Sequence, residues 1–125
     1  MRVLIQRVLE ASVRVEGRCV GAIDRGLLVF LGVCGTDTSK DVCYLMKKCL
    51  GLRLFEDESG KMNVSVQECK GGILLVSQFT LYGDCGKGRR PSFGKAASGE
   101  VAEKLYQEAL SFLKGCHSPV ASGQF

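Results

Sequence analysis

Apolar positions along the chain fall into two rhythms, a period of two and a period of 3.6. From Arg2 to Val15 the period is two. Val3 and Ile5 alternate with polar neighbours, and Val13 and Val15 sit between Ser12, Arg14 and Glu16. Such alternation predicts half-buried strands. Glu16-Gly17 supplies turn chemistry and Cys19-Val20 starts a return strand, so a hairpin is expected there. Gly26 punctuates, and Leu27 to Val33 is a continuous apolar run of the kind a buried central strand carries. Thr36-Asp37-Thr38-Ser39 offers several helix N-caps. Val42, Leu45, Met46, Cys49 and Leu50 then follow helical spacing, with Gly51 placed to end the helix. Leu52 to Phe55 alternates as a strand, Glu56 to Lys61 reads as a solvated polar turn, and Val64 and Val66 alternate again. Ser98 can cap a second helix whose stripe is Val101, Ala102, Leu105, Tyr106, Ala109, Leu110 and Leu113, closed by Gly115. This order predicts one α+β domain with both helices on a mixed sheet.

The chain is organised around Gly72 to Phe93, GILLVSQFTLYGDCGKGRRPSF. Ile73 to Val76 is apolar at every position and predicts a buried strand. The run turns polar without a breaker at Ser77, Gln78 and Thr80, interleaved with Phe79 and Leu81. A polar group that continues a core strand needs a partner or a ligand, because burying it unpaired costs about 1–3 kcal/mol. After Tyr82 the chain becomes a Gly-rich loop with Lys87, Arg89, Arg90 and Lys95 against one carboxylate, Asp84. A polar strand end feeding a basic loop is a layout for an anionic substrate, with a merely solvated loop as the competing reading.

Composition narrows the class. With 125 residues, 46% hydrophobic and 24% charged, the chain reads as a soluble globular domain. No apolar run approaches the ~20 residues of a membrane helix, and Arg7 interrupts the N-terminal apolar stretch too early for a signal peptide. Seven cysteines without a C-x-x-C pair fit neither a disulfide framework nor a zinc site. They are expected to be reduced thiols in a cytoplasmic protein, acting mostly as small apolar residues. Neither metal nor cofactor is called for. Thr80 and Ser77 are candidate nucleophilic hydroxyls, but His117, the only histidine, stands in a tail-like segment. No Ser-His-acid order, G-x-S-x-G elbow or Walker loop is present.

Several of these segments carry a resemblance. SQFTLY followed by KGRRPSF resembles the D-aminoacyl-tRNA deacylase family, also called D-tyrosyl-tRNA(Tyr) deacylases. MRVLIQRVLEASVRVEG, GLLVFLGV and LRLFEDESGKMNVSV resemble it in the same order, so the likeness runs from Met1 to Phe125. It implies a three-layer β/β/α domain that works as a homodimer. It implies hydrolysis of the ester joining a D-amino acid to the 3′-terminal ribose of tRNA, and of glycyl-tRNA mischarged on tRNA(Ala). Ser77, Gln78 and Thr80 would be the catalytic positions and Phe79 and Arg7 substrate contacts, with Lys87, Arg89 and Arg90 on tRNA phosphates. Either Thr80 attacks the ester, or the vicinal 2′-OH of tRNA helps activate water. With no base visible beside Thr80, the second is the expectation. The family's later N-x-G-P-x-T segment, whose cis Gly-Pro pair excludes L side chains, is not found, so a domain lacking its C-terminal end is expected. A non-catalytic RNA-binding module using the 87–95 loop, and a small-molecule-binding barrel, are the alternatives.

Overall fold

The computed structural model describes all residues, Met1 to Phe125. Its centre is a four-stranded mixed sheet of order β1 (Arg2–Val8), β4 (Gly26–Gly32), β7 (Gly72–Ser77) and β8 (Val120–Ser122). β1 runs antiparallel to β4, while β4–β7 and β7–β8 are parallel pairs. The continuous apolar runs occupy the two inner strands, which have a neighbour on each edge; β7 is covered on both faces, β4 fully only on the helix side. From one face Leu27, Val29, Leu31, Ile73 and Leu75 meet both helices, α1 (Ser39–Gly51) and α2 (Gly99–Cys116). Met46, Cys49, Tyr106, Ala109 and Leu113 come from the helix side, all essentially inaccessible. Tyr106 keeps its ring in this core because its hydroxyl donates to the Leu75 carbonyl at 2.9 Å.

The opposite face is covered in part. β2 (Ala11–Val15) and β3 (Arg18–Ile23) form the expected hairpin. Glu16 and Gly17 both have positive φ, 51° and 77°, as a two-residue turn matched to strand twist requires. Gly21 lies against Ser122 and Leu74, so the hairpin covers the β7–β8 half. Hairpin, central sheet and helices make the β/β/α layers. The β1–β4 half of that face carries Leu4, Gln6, Leu28 and Phe30 in register, with Leu4 50% exposed. β5 (Phe55–Glu56) and β6 (Met62–Val64) form a small separate ribbon.

Most element expectations hold, with shifts at the ends. The Leu52–Phe55 strand shrinks to its last residue plus Glu56. The 56–61 turn is built by Asp57, whose carboxylate accepts from the Ser59 and Lys61 amides and the Asn63 side chain. Those bonds hold its carboxyl below the usual range. Gly51 ends α1, but the cap that follows is an extended Leu52 and not a left-handed glycine. Ser98 is the N-cap of α2 without a side-chain bond to it. The tail-like 117–125 segment is a correction: Val120–Ser122 pairs with β7, and His117 Nε2 lies 2.6 Å from the Gly71 carbonyl oxygen. The cysteines are a second correction. All seven are free, but only Cys49 is buried, and burial pushes its thiol up to about 11. Cys19, Cys85 and Cys116 are exposed.

At the start of α1 the Thr38 hydroxyl accepts from the Lys40 amide, while the Asp41 carboxylate accepts from the Thr38 amide at 2.8 Å. This reciprocal cap satisfies donors that the helix cannot. Thr38→Ala is expected to lower stability by about 1 kcal/mol, seen as a lower urea midpoint at unchanged slope.

Candidate active site

β7 leads directly to the candidate residues, but they do not extend the strand. Ser77, half-buried, is its last member and pairs with Leu31. Gln78 turns the chain into a 3-10 turn, Phe79–Tyr82. The expectation of a polar strand end through Thr80 is therefore corrected. Gly32 supplies the physical reason. A Cβ there would sit 3.1 Å from both the Gln78 carbonyl oxygen and the Leu81 side chain, so the missing side chain lets the turn fold back over the end of β4. In the sequence Gly32 lies inside the apolar run Leu27 to Val33 and gives no signal of its own.

In this turn the Gln78 side-chain amide donates to the Thr80 hydroxyl. Thr80 and Phe79 are exposed, and the Phe79 ring packs edge-on against Phe93 with centroids 5.2 Å apart. The first N–H groups of such a turn have no partner within it, so they are free to meet an oxyanion. The acids near the turn are already engaged. Asp84 Oδ1 accepts from the Gly86 amide at 2.9 Å, and Asp37 Oδ2 accepts from the Cys34 amide at 2.7 Å. His117 belongs to the opposite end of β7, about 20 Å away along a six-residue strand.

Lys87, Arg89 and Arg90 occupy the exposed loop pinched by the Asp84–Ser92 bridge. None of them is in an ion pair. The loop returns at Lys95 and Ala96 to bond Gly35 and Cys34 beside the turn.

Arg7 is not brought to these residues within one chain. It pairs with Leu27, at the end of β1 remote from Ser77, and its guanidinium donates to the Leu54 carbonyl at 2.9 Å. There it lines a cleft of about 300 Å³ with Arg25, Phe55 and Glu56. Five strand residues separate it from the position of Arg2, about 17 Å. Arg2 is the residue that sequence reasoning missed. Its guanidinium donates to the Leu81 carbonyl at 2.8 Å and stacks 4.5 Å over the Tyr82 ring. An exposed strand arginine 79 positions from its acceptor leaves no signal in the sequence.

Ser77, Gln78 and Thr80 line none of the clefts beside Arg7, Glu10, Tyr44, Ile5 or Lys104. The site of a single chain is an open surface beside the uncovered apolar half of the sheet. No helix is long and apolar enough to cross a membrane.

The chain resembles known proteins along its whole length. A D-aminoacyl-tRNA deacylase of Desulfatibacillum aliphaticivorans is 57% identical over 125 residues, covering all of this chain and 86% of that protein. One from Clostridium tetani (strain Massachusetts / E88) is 54% identical over the same span, 84% of its length. Among solved structures, one described as c-Myc DNA Unwinding Element Binding Protein superposes with a TM-score of 0.94 at 42% identity. It covers all of this chain and 85% of that one. A probable eukaryotic D-amino acid tRNA deacylase superposes at 0.82 with 20% identity, covering 98% of this chain and 87% of that one, and so shares the fold. The family model described as D-Tyr-tRNA(Tyr) deacylase matches residues 4–125, and the chain belongs to that family.

Proposed function

We propose that the Ser77–Thr80 segment holds the aminoacyl-adenosine end of tRNA and carries out the family's hydrolysis of the D-aminoacyl ester there. The observation that carries this reading is the pairing of the Gln78 amide with the Thr80 hydroxyl on an exposed turn whose neighbouring acids are occupied. Thr80 has a hydrogen-bond donor beside it and no base. An ester is labile enough for positioning and oxyanion stabilisation to supply much of the rate. The vicinal 2′-OH of the substrate then helps to activate water, and Ser77, Gln78 and Thr80 orient the ester. Phe79 offers a face to the terminal base. Glycyl esters, including glycine mischarged on tRNA(Ala), meet the same groups without a side chain to place. The direct test is turnover of matched D-, L- and glycyl-tRNA by the purified chain. Failure of the folded protein to release D-amino acid or glycine would sink the assignment.

Lys87, Arg89 and Arg90 contact acceptor-stem phosphates in this reading. Neutralising all three is expected to weaken tRNA binding alike for every amino acid. Each lost contact flattens the salt dependence by about one slope unit. An unchanged slope in the triple alanine variant would reduce the loop to solvated surface.

The working form is a homodimer joined through the open half of the sheet. Leu4, Leu28 and Phe30 form an apolar strip there in one chain, next to the turn. A two-fold pairing buries such a strip against its own copy and supplies the wall that one chain lacks.

A further inference from the structure

The outer face of α1 is unlike the other helix surface of this protein. Lys40, Tyr44, Lys47 and Lys48 are all exposed and fall on one stripe, with Arg53 just beyond the helix end. Neither Lys47 nor Lys48 has a carboxylate three or four residues away along the helix. The one acid of α1, Asp41, is committed to the Thr38 cap. The one ion pair in the structure joins the Met1 α-amino group and Asp37, so Lys40, Lys47, Lys48 and Arg53 are all unpaired. On α2, by contrast, Glu100, Lys104 and Glu108 interleave signs at four-residue steps, the pattern of a face built for water. Glu108 itself accepts from the Ser39 hydroxyl at 2.7 Å and does not reach across to the basic stripe.

The stripe is also shaped. Tyr44, Lys47, Lys48, Gly51, Leu52 and Arg53 line a groove of about 510 Å³. Tyr44 is 62% exposed, and the Lys48 ammonium stands 5.8 Å over its ring. The Arg53 guanidinium donates to the Asn63 side chain at 3.2 Å, which holds it in place. From Lys40 to Arg53 the stripe runs about 20 Å, the axial length of roughly six base pairs. Its upper end is tied to the 87–95 loop, because the Gly35 amide donates to the Lys95 carbonyl and Cys34 bridges to Ala96 just before α1 begins. The cations of the loop and of the helix thus form one path leading away from Thr80.

We infer that this face of α1, Lys40, Lys47, Lys48 and Arg53, is a second binding surface for the tRNA phosphate backbone, continuing from the basic loop down the acceptor stem. The inference rests on the proposed placement of the aminoacyl end at the 77–80 turn. Unpaired cations along a path are what a polyanion recognises, and each phosphate neutralised releases counterions. These contacts hold the substrate and do not touch the ester. They therefore act on KM and leave kcat in place.

The test uses the full chain and three probes: an uncharged acceptor-stem hairpin RNA, a D-aminoacyl-tRNA, and a D-aminoacyl ester of adenosine that has no stem. The variant Lys47→Ala/Lys48→Ala/Arg53→Ala is compared with a Lys47→Arg/Lys48→Arg control. In the alanine variant the salt slope of hairpin binding is expected to fall by about two to three and affinity by about tenfold or more. The KM for D-aminoacyl-tRNA rises, turnover of the adenosine ester is unchanged, and the arginine control behaves as wild type. An unchanged slope and KM in the alanine variant overturn the inference, as does equal loss on the stemless ester. Failure of the wild-type chain to hydrolyse either ester, with the slope still set by α1, would instead overturn the assignment of the 77–80 turn.

Discussion

A tRNA ending in 2′-deoxyadenosine, carrying its D-amino acid on the 3′ oxygen, is expected to be hydrolysed about 10²–10³-fold more slowly than the natural substrate. Thr80→Ala is expected to retain measurable hydrolysis of the natural one. The magnitude follows from what a positioned proton acceptor contributes to ester attack, about 10²–10⁴-fold. In this site the protein does not present such a group at the turn: the Thr80 hydroxyl is paired with an amide, Asp84 and Asp37 accept from backbone amides, and His117 sits at the other end of β7. A threonine nucleophile would need one of them to take its proton. Removing the Thr80 side chain loses an orienting contact, whereas removing the 2′-OH loses the group that aligns water. Single-turnover rates for both substrates with wild type and Thr80→Ala separate the two roles. Complete loss in a folded Thr80→Ala protein, together with normal turnover of the deoxy substrate, would assign the attack to Thr80.

The second large effect concerns assembly. Leu4→Asp is expected to convert a dimer into a folded monomer and to lower activity at least a hundredfold. Leu4 is half-exposed in a single chain and pairs with Phe30 on the open half of the sheet. A charge there meets water in the monomer, so the fold tolerates it. In a two-fold interface the same charge and its copy are buried without partners, which costs several kcal/mol. A stable dimer hides about 800 Å² on each partner, and its core excludes unpaired charge. Sedimentation gives the mass and far-UV circular dichroism the fold. The proposal fails if Leu4→Asp remains a dimer, or if the monomer keeps full activity, since the turn would then need no second wall.

The local patterns were legible where a short stretch decides its own state. The Glu16-Gly17 turn, the apolar stripe of α1, a cap within Thr36 to Ser39, and the runs of β4 and β7 each follow from neighbours within a few residues. The stretch SQFTLY stood out as the candidate site, but not as a turn. Its departure from the strand depends on Gly32, more than forty positions away, leaving room for the Gln78 carbonyl. The 117–125 segment looked like a tail because three strand residues carry too little pattern to be seen alone. β7 makes them a strand by offering a parallel edge.

Periodicity and turn chemistry thus determined the elements, their order and the α+β class, because those energies act between residues close in the chain. The segments that resemble a known family determined which residues to watch. Tertiary structure alone decided that Arg2, and not Arg7, reaches the turn, and that most cysteines lie outside the core. It also decided that the apolar positions of β1 and β4 leave one strip uncovered. Those outcomes depend on which surfaces meet across the fold, and a contact between positions 2 and 81 has no local energy by which the sequence could announce it.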